Sequence, residues 1–251
     1  MYSDFFGNKQ ILIDIRLDIK QIDCWMEGMR VQEVKGNKES RTIINKQIMY
    51  YKIYDFIKRL FDIICSLTAL IFLCPILLLV AVIIKIESPG PIIFKQERIG
   101  TDGKPFNMYK FRSMVANAEE LKEDLMKDNQ RSGPMFKIKN DPRVTKVGHF
   151  IRMTSIDELP QLVNILKGEM SIVGPRPSLP KEVAQFEPWM LTRLNVRPGL
   201  TCYWQVLGRD NIDFEEWMKL DVKYINDRCL LVDLKLIFKT FFVLLGDKNA
   251  S

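Results

Sequence analysis

The chain has 251 residues, enough for one sizeable hydrophobic core or for a compact domain with attached segments. Its 37 Lys and Arg against 31 Asp and Glu give a net charge of +6, which favours anionic partners such as nucleotides, phosphorylated substrates or an acidic membrane surface. The five scattered cysteines form no CxxC pair, so they indicate neither a zinc site nor a disulfide framework, and they fit a reducing compartment. His149 is the only histidine, which disfavours a Ser-His-Asp or Cys-His catalytic group and favours carboxylates, lysine, arginine and a hard metal ion.

Residues 1–47 form a polar N-terminal extension in which we expect no export signal. Within it, Ile13, Ile15, Leu17 and Ile19 alternate with charged residues, the period-two pattern of a half-buried strand. A single strand is not stable alone. The pattern therefore predicts pairing with another strand, for instance the same strand of a second chain, which would make the protein a homo-oligomer.

Residues 63–84 carry no charge over 22 positions, a length of about 33 Å as a helix and enough to cross a bilayer. Pro75 lies in the middle of the run and predicts a kink or break at Cys74 and Pro75. Basic residues flank both ends of the run, so both ends satisfy the rule for cytoplasmic flanks. The residues alone leave two alternatives, a kinked spanning helix and a re-entrant helix that breaks at Pro75 and returns to the same side.

The predicted elements continue after this membrane-associated segment, residues 48–86. The stretch SPGPIIFKQERIGTDGKPFNMYKFRSM reads as turn, strand, turn and strand, and residues 116–129 as a charged helix. A helix is predicted over PQLVNILKG with Gly168 as its stop, and another over FEEWMKLDVKYINDR. Residues 233–246 predict an apolar helix, either in the core or in the membrane interface. Residues 87–251 thus predict one α+β domain.

Asp157 and Glu158, within SIDELPQLVNILKG, allow two interpretations. Ser155 and Glu158 match a capping box, and acidic residues in a first helical turn complement the helix dipole. Alternatively, an aspartate at a helix N-terminus stays ionised and serves as a nucleophile or metal ligand. The two roles are compatible.

Basic residues supply candidates for phosphate binding. Taken singly, each arginine is most simply interpreted as a solvated surface charge, and Lys110 as an exposed lysine on a strand. Several arginines in stiffened loops around one acidic pair indicate a phosphate clamp, because the guanidinium fork matches phosphoryl oxygens. No glycine-rich phosphate loop occurs, so side chains would hold the phosphate. The candidates are Lys110, Arg143, Arg152, Arg176, Arg197 and Arg209.

From about residue 54 to residue 246 the sequence closely resembles the bacterial sugar transferase family, the monotopic phosphoglycosyl transferases of exopolysaccharide, capsule and O-antigen synthesis. The resemblance rests on segments that occur in order: KRLFDIICSLTALIFLCPILLLV, SPGPIIFKQERIG, YKFRSM, NDPRVTKVG, SIDELPQLVNILKGEMSIVGPRP, RPGLTCYWQVLGR and DLKLIFKT.

This resemblance implies transfer of a sugar 1-phosphate from a UDP-sugar to undecaprenyl phosphate, with Mg²⁺, at the cytoplasmic face of the bacterial inner membrane. It implies that Asp157 is the nucleophile that forms a phosphosugar-aspartyl intermediate and that Glu158 binds the metal. Lys110, Arg152, Arg176 and Arg209 fall on the family's basic site positions. It also implies a re-entrant membrane helix broken at Cys74 and Pro75, interfacial amphipathic helices, and both termini on the cytoplasmic side. Galactose or glucose is favoured as the sugar, with N-acetylated sugars open.

Two other classes of protein remain alternatives. A basic nucleic-acid-binding protein would explain the net charge, but it would not need the uncharged run, and no nucleic-acid motif is visible. A single-pass membrane scaffold would explain residues 63–84 and would place the two termini on opposite sides of the membrane.

Overall fold

The computed structural model describes residues 38–121, 125–128, 138, 141–207 and 212–246. The strand predicted at residues 13–19 lies outside them. Helices and short strands are mixed along the chain, which confirms the predicted combination. The helices are α1 (Lys38–Glu87), α2 (Lys146–Met153), α3 (Gln161–Lys167), α4 (Pro180–Val183), α5 (Pro188–Leu191), α6 (Tyr203–Leu207), α7 (Phe214–Asp227) and α8 (Leu230–Gly246), and the strands are β1 (Ile93–Ile99), β2 (Pro105–Phe111), β3 (Ser171–Val173) and β4 (Gly199–Thr201).

The strands form two small sheets. Strands β1 and β2 pair antiparallel, with Ile93 opposite Phe111, which confirms the predicted strand, turn and strand. Strands β3 and β4 pair in parallel. Gly174 directly follows β3, and Gly199 is the first residue of β4. A Cβ atom on either glycine would collide with the backbone of the other strand's segment. The close approach of the two segments therefore requires glycine at both positions.

The charged helix predicted at residues 116–129 does not form as one α-helix in the residues described there. Residues 116–119 form turns, residues 120–121 are helical, and Leu125–Asp128 is a 3-10 helix.

Helix α1 runs without interruption through Pro75, where the sequence predicted a kink or break. Its part Ile48–Glu87 is long and apolar enough to cross a membrane, and only 11% of its most apolar window is buried, unlike the core helix of a soluble protein. If straight, these 40 residues would measure about 60 Å, twice the ~30 Å hydrocarbon thickness of a bilayer. The helix therefore exceeds what a simple crossing requires.

The first half of α1 carries a buried polar stripe at helical spacing. Tyr54 donates its hydroxyl to Asp233 at 2.8 Å, and Lys58 donates to the same carboxylate at 2.7 Å. One turn later, Asp62 accepts the backbone N–H of Ile172 at 3.0 Å. Because these groups lie on one face, the helix docks in one rotational setting, with its polar stripe on the domain.

The second half of α1, beyond Pro75, packs on the same domain. Val80 and Ile84 form a buried cluster with Phe111 and Ile151. The guanidinium of Arg112 closes the end of the helix, donating to the carbonyl of Ile84 and, at 2.7 Å, to that of Ser88. Cations near a helix C-terminus satisfy its last carbonyls and complement its dipole. Both halves of α1 are therefore attached to one domain.

Helix α8 is apolar over most of its surface but is not a core helix. Leu236 is buried, and Asp233 faces α1. The exposed remainder is an apolar face typical of helices that lie in a membrane interface. The large exposed apolar residues of this helix include Leu230, Leu231, Leu234, Phe238, Phe241 and Phe242.

Asp233→Asn should destabilise the protein because it removes the charge that pairs with buried Lys58. Losing one partner of a buried ion pair costs about 3 kcal/mol, which corresponds to a Tm roughly 6–12 °C lower for a domain of this size. Thermal unfolding of detergent-solubilised protein would measure the shift. Glu215→Gln is the matched control: it removes the charge of an exposed pair with Lys219 and should leave Tm unchanged to about 1 °C. Equal Tm values for the two variants would contradict the anchoring role of Asp233.

Candidate functional site

The acidic pair lies on the 3-10 turn Ile156–Glu158, directly before α3. Helix α3 ends at Gly168, whose φ of 85° confirms the predicted stop. The predicted capping box is wrong. Ser155 has φ 56°, its side chain makes no capping hydrogen bond, and Pro160 is the N-cap of α3. The left-handed backbone at Ser155 turns the side chain away from the orphan amides, and the acids precede the helix rather than occupy its first turn.

Lys110 on β2 reaches both acids. Its Nζ lies 2.6 Å from Glu158 Oε1 and 3.9 Å from Asp157 Oδ2. The Lys110 side chain is only 17% exposed, so the interpretation as an exposed strand lysine is wrong. The strand therefore presents its cation directly to the acidic pair.

Buried Asn164 fixes the position of β2 against α3. Its Oδ1 accepts the backbone N–H of Tyr109 at 3.0 Å, and its Nδ2 donates to the carbonyl of Asn107 at 2.7 Å. These contacts link the helix that follows the acids to the strand that carries Lys110. The sequence did not single out Asn164, because an asparagine within a helix has no pattern that reveals a long-range partner.

Two arginines complete the basic surroundings of the acids. Arg152, in the last turn of α2, donates from Nε to the hydroxyl of Ser113 at 2.8 Å. Arg176, in the loop after β3, places one guanidinium nitrogen 3.7 Å from Glu158 Oε1. The charges of both arginines lower the pKa of Asp157. The structure thus brings together the predicted residues Lys110, Arg152, Asp157, Glu158 and Arg176.

Burial dominates the protonation of Asp157 and raises the pKa of its carboxyl above the usual range. Lys110 opposes this shift most strongly, while the negative charge of Glu158 adds to it. Burial likewise lowers the pKa of Arg152, and the charge of Asp157 counteracts that effect. The carboxylate therefore has little water around it and depends on nearby cations to stay ionised, conditions typical of a functional group.

Three of the predicted basic residues lie elsewhere or outside the described residues. Arg143 is buried and forms a bidentate pair with Asp141, with nitrogen to oxygen distances of 2.9 and 2.6 Å, which is a structural arrangement. Arg197 lines a separate cavity of about 120 Å³ beside α1, together with Tyr54. Arg209 lies outside the residues that the structure describes.

Metal binding at this site would rest on few protein ligands. Within the described parts of the chain, no group of three or more His, Cys, Asp or Glu side chains is arranged to hold an ion. Mg²⁺ is commonly bound by one or two carboxylates together with substrate phosphates and water. Adjacent Asp157 and Glu158 fit that sparse donor set.

The arrangement suits reactions at phosphorus. A carboxylate largely removed from water is a competent nucleophile when ionised. Lys110, Arg152 and Arg176 surround it with positive charge, which stabilises the phosphoryl oxygens of a bound substrate and of its transition state. Trp204 lies under the Arg176 guanidinium, 5.9 Å from it, and provides an aromatic wall.

Comparison with known proteins gives a consistent result. The family model of the bacterial sugar transferases matches residues 53–247. The chain is 45% identical over 259 residues to the galactosyl transferase CpsE of Streptococcus agalactiae, an alignment that covers 99% of this chain and 57% of that protein. It is 40% identical over 187 residues to the exopolysaccharide production protein ExoY of Sinorhizobium fredii, covering 73% of this chain and 83% of ExoY.

A third relative is the UDP-glucose:undecaprenyl-phosphate glucose-1-phosphate transferase of Escherichia coli, 40% identical over 195 residues, covering 74% of this chain and 39% of that protein. The chain spans about half the length of most of the curated relatives that it matches. The matched part includes α1 from residue 53 onward and every residue of the acidic and basic cluster.

Proposed function

We propose that this chain, which belongs to the bacterial sugar transferase family, transfers a sugar 1-phosphate from a UDP-sugar to undecaprenyl phosphate. The products are undecaprenyl-diphospho-sugar and UMP, and the reaction is a membrane step in polysaccharide synthesis. The observation that carries the proposal is the buried carboxylate of Asp157 among Lys110, Arg152 and Arg176. The names of the relatives, a galactosyl transferase and a UDP-glucose:undecaprenyl-phosphate glucose-1-phosphate transferase, support the substrates.

The first step is attack by a carboxylate oxygen of Asp157 on the β-phosphorus of the UDP-sugar. A bond forms between that oxygen and phosphorus, and the bond from phosphorus to the bridging oxygen breaks, so UMP leaves with the electron pair. In the second step a phosphate oxygen of undecaprenyl phosphate attacks the phosphosugar-aspartyl group and releases the carboxylate. Splitting the transfer in this way lets one site serve a soluble donor and a lipid acceptor in turn.

The basic residues have distinct roles in this scheme. Lys110, 3.9 Å from Asp157 Oδ2, keeps the carboxylate ionised and neutralises charge on the transferred phosphoryl group. Arg176, with its side chain 31% exposed, faces incoming substrate more openly than Arg152, which is fixed by Ser113. Arg209 is proposed as a further phosphate-binding residue on the resemblance alone.

Mg²⁺ is proposed as the cofactor, held by the carboxylate of Glu158 and by substrate phosphates. When bound, the ion neutralises the diphosphate of the donor. Unchanged turnover after treatment with EDTA would contradict this role.

The sugar is proposed to be galactose or glucose. Release of UMP by purified protein, measured with a panel of UDP-hexoses and UDP-N-acetylhexosamines plus undecaprenyl phosphate, identifies the donor. Faster release with an N-acetylated sugar would contradict the choice of a hexose.

The membrane placement is proposed to be re-entrant, on the cytoplasmic side of the inner membrane. Both halves of α1 contact one domain, through Lys58 before Pro75 and Ile84 after it, and a domain cannot lie on both sides of a bilayer. The uninterrupted helix must then bend within the lipid, and Pro75, which lacks a backbone donor, is the residue at which we place the bend. Exposed apolar residues on α8 would rest in the interface.

Asp157→Asn should lower UMP release at least about 10³-fold, because the amide cannot act as the nucleophile. Intact-mass measurement after incubation with the UDP-sugar alone should detect a phosphosugar adduct on the unmodified protein and none on the variant. Asp102→Asn, which changes an exposed aspartate on the turn Thr101–Gly103, is the matched control and should retain turnover. An adduct on Asp157→Asn would show that another residue is the nucleophile.

The rate should fall on the acidic side at a higher pH than an ordinary aspartate predicts, since only the ionised carboxylate attacks and burial raises the pKa of Asp157 above ~3.9. Lys110→Gln removes the charge that most opposes this shift, so the acid limb of the pH profile should move further up. Turnover should also drop by about 10². Lys104→Gln, at an exposed lysine paired with Asp102, should leave the limb in place. If Lys110→Gln leaves the acid limb of the pH profile at the same pH, Lys110 does not keep the carboxylate of Asp157 ionised.

The two flanks of α1 should be accessible from the same side of the membrane. Exposed Lys52 and Lys104 lie before and after the apolar run and can each be changed to cysteine after the five native cysteines have been replaced. Both Lys52→Cys and Lys104→Cys should react with a membrane-impermeant maleimide only after spheroplasts are lysed. Reaction of one of them in intact spheroplasts would establish a spanning helix instead.

A further inference from the structure

The loop that carries Arg176, residues 174–178, has no regular secondary structure, yet its backbone is held at successive residues. Arg193 donates to the carbonyl of Arg176 at 2.7 Å and to the hydroxyl of Ser178 at 2.5 Å. Arg98 donates to the carbonyl of Pro177 at 3.0 Å. The backbone N–H of Ile99 donates to the carbonyl of Ser178 at 2.9 Å. Side chains distant in sequence therefore determine where this loop lies.

Arg193 is itself fixed by its surroundings. Its guanidinium is 2.6 Å from Asp221 of α7, and the two side chains are 2% and 0% exposed. Phe186 and Trp217 lie against the guanidinium, with ring centroids 5.5 and 5.3 Å away. A guanidinium held by aromatic rings and a carboxylate presents its fork of donors in one orientation.

A pair buried this deeply is costly to form, since both charges leave water. Besides packing against Phe186 and Trp217, the Arg193 guanidinium donates to the carbonyl of Arg176 and to the hydroxyl of Ser178. What the pair reaches is the backbone of the loop whose side chain, Arg176, lies 3.7 Å from Glu158. The network therefore runs from α7 through Arg193 to the edge of the acidic site.

We propose that Arg193 and Asp221, assisted by Arg98, are positioning residues that hold loop 174–178 so that Arg176 meets the donor phosphates. This inference rests on the proposed function, in which Arg176 binds the diphosphate of the UDP-sugar. Arg98 donates to the carbonyl of Pro177, and Arg193 donates to the carbonyl of the preceding residue, Arg176. Because the two carbonyls are adjacent, a displacement of the loop breaks at least one charge-assisted hydrogen bond. Misplacing a catalytic side chain by about 1 Å is enough to cost roughly 10² in rate.

The first measurement is hydrogen exchange of the loop, which does not depend on activity. In Asp221→Asn, the two amides that tie the loop to its surroundings, Ile99 N–H on the carbonyl of Ser178 and Gly174 N–H on the carbonyl of Thr201, should exchange at least about 10-fold faster than in the unmodified protein, since Arg193 loses the charge that orients it. Asp213→Asn is the matched control on the same helix, because Asp213 only caps α7 at Glu216 and asparagine caps equally well. Unchanged exchange of the loop in Asp221→Asn would overturn the proposal whatever the enzyme does.

The second measurement is a double-mutant cycle on turnover. Asp221→Asn should lower kcat/KM for the UDP-sugar by about 10-fold to 10²-fold, and by no more than about twofold when Arg176 is already alanine, because the effect passes through Arg176. A merely structural role would reduce the active fraction equally in both backgrounds. Equal reductions would therefore overturn the proposal.

Ser178→Ala covers the case in which Asp221→Asn does not fold. This variant removes only the hydroxyl to which Arg193 donates. It should speed hydrogen exchange and lower kcat/KM in the same way as Asp221→Asn, by smaller factors. If neither exchange nor kcat/KM changes, the proposal is contradicted. Failure of the proposed function looks different: the unmodified protein would release no UMP from any UDP-sugar, while exchange of the loop would still respond to Asp221→Asn.

Discussion

The carboxylate of Asp157 is the group on which the arrangement of the catalytic domain depends. It is 7% exposed, and a charge removed this far from water needs compensating charge within a few ångströms. Compensation comes from Lys110, Arg152 and Arg176, which belong to a strand, a helix and a loop far apart in sequence. Each of these elements is fixed in turn by polar contacts, such as those of Asn164 on β2. The buried charge therefore depends on the tertiary structure that brings these three cations to it.

Helix α1, which is long and apolar enough to cross a membrane, is also part of the domain that carries the acidic site. Arg59 donates to the carbonyls of Ile165 and Leu166 at the end of α3, the helix that follows the acidic pair. Such contacts near a helix C-terminus satisfy its last carbonyls. Helix α1 and the helix beside the acids are thus joined by direct hydrogen bonds. In the proposed reaction between a soluble nucleotide and a lipid phosphate, these contacts would set the site at a constant depth relative to the headgroups.

The arginines of this domain divide into two groups by environment. Arg143 and Arg193 are buried and paired with Asp141 and Asp221, so their charge maintains structure. Burial raises the pKa of Asp221 to about 6, and the charge of Arg193 opposes that rise. Arg176 remains partly exposed at the acidic site. In sequence, Arg143 and Arg176 look alike because each lies beside a proline, and the sequence did not single out Arg193. The buried partners of Arg143 and Arg193 distinguish their roles from that of Arg176.

The sequence by itself determined the family, the β1 and β2 hairpin, α3 with its stop at Gly168, α7, and the apolar length that would let α1 cross a membrane, because strand alternation, helix periodicity and apolar length are local properties. It also singled out Asp157, Glu158, Lys110, Arg152 and Arg176, which the structure brings together. The tertiary structure decided that the Ser155 side chain makes no capping hydrogen bond, that Arg143 pairs with Asp141, that Arg197 lines a separate cavity, and that α1 continues through Pro75. These outcomes depend on which distant groups become neighbours when the chain folds, and a local pattern does not contain that information.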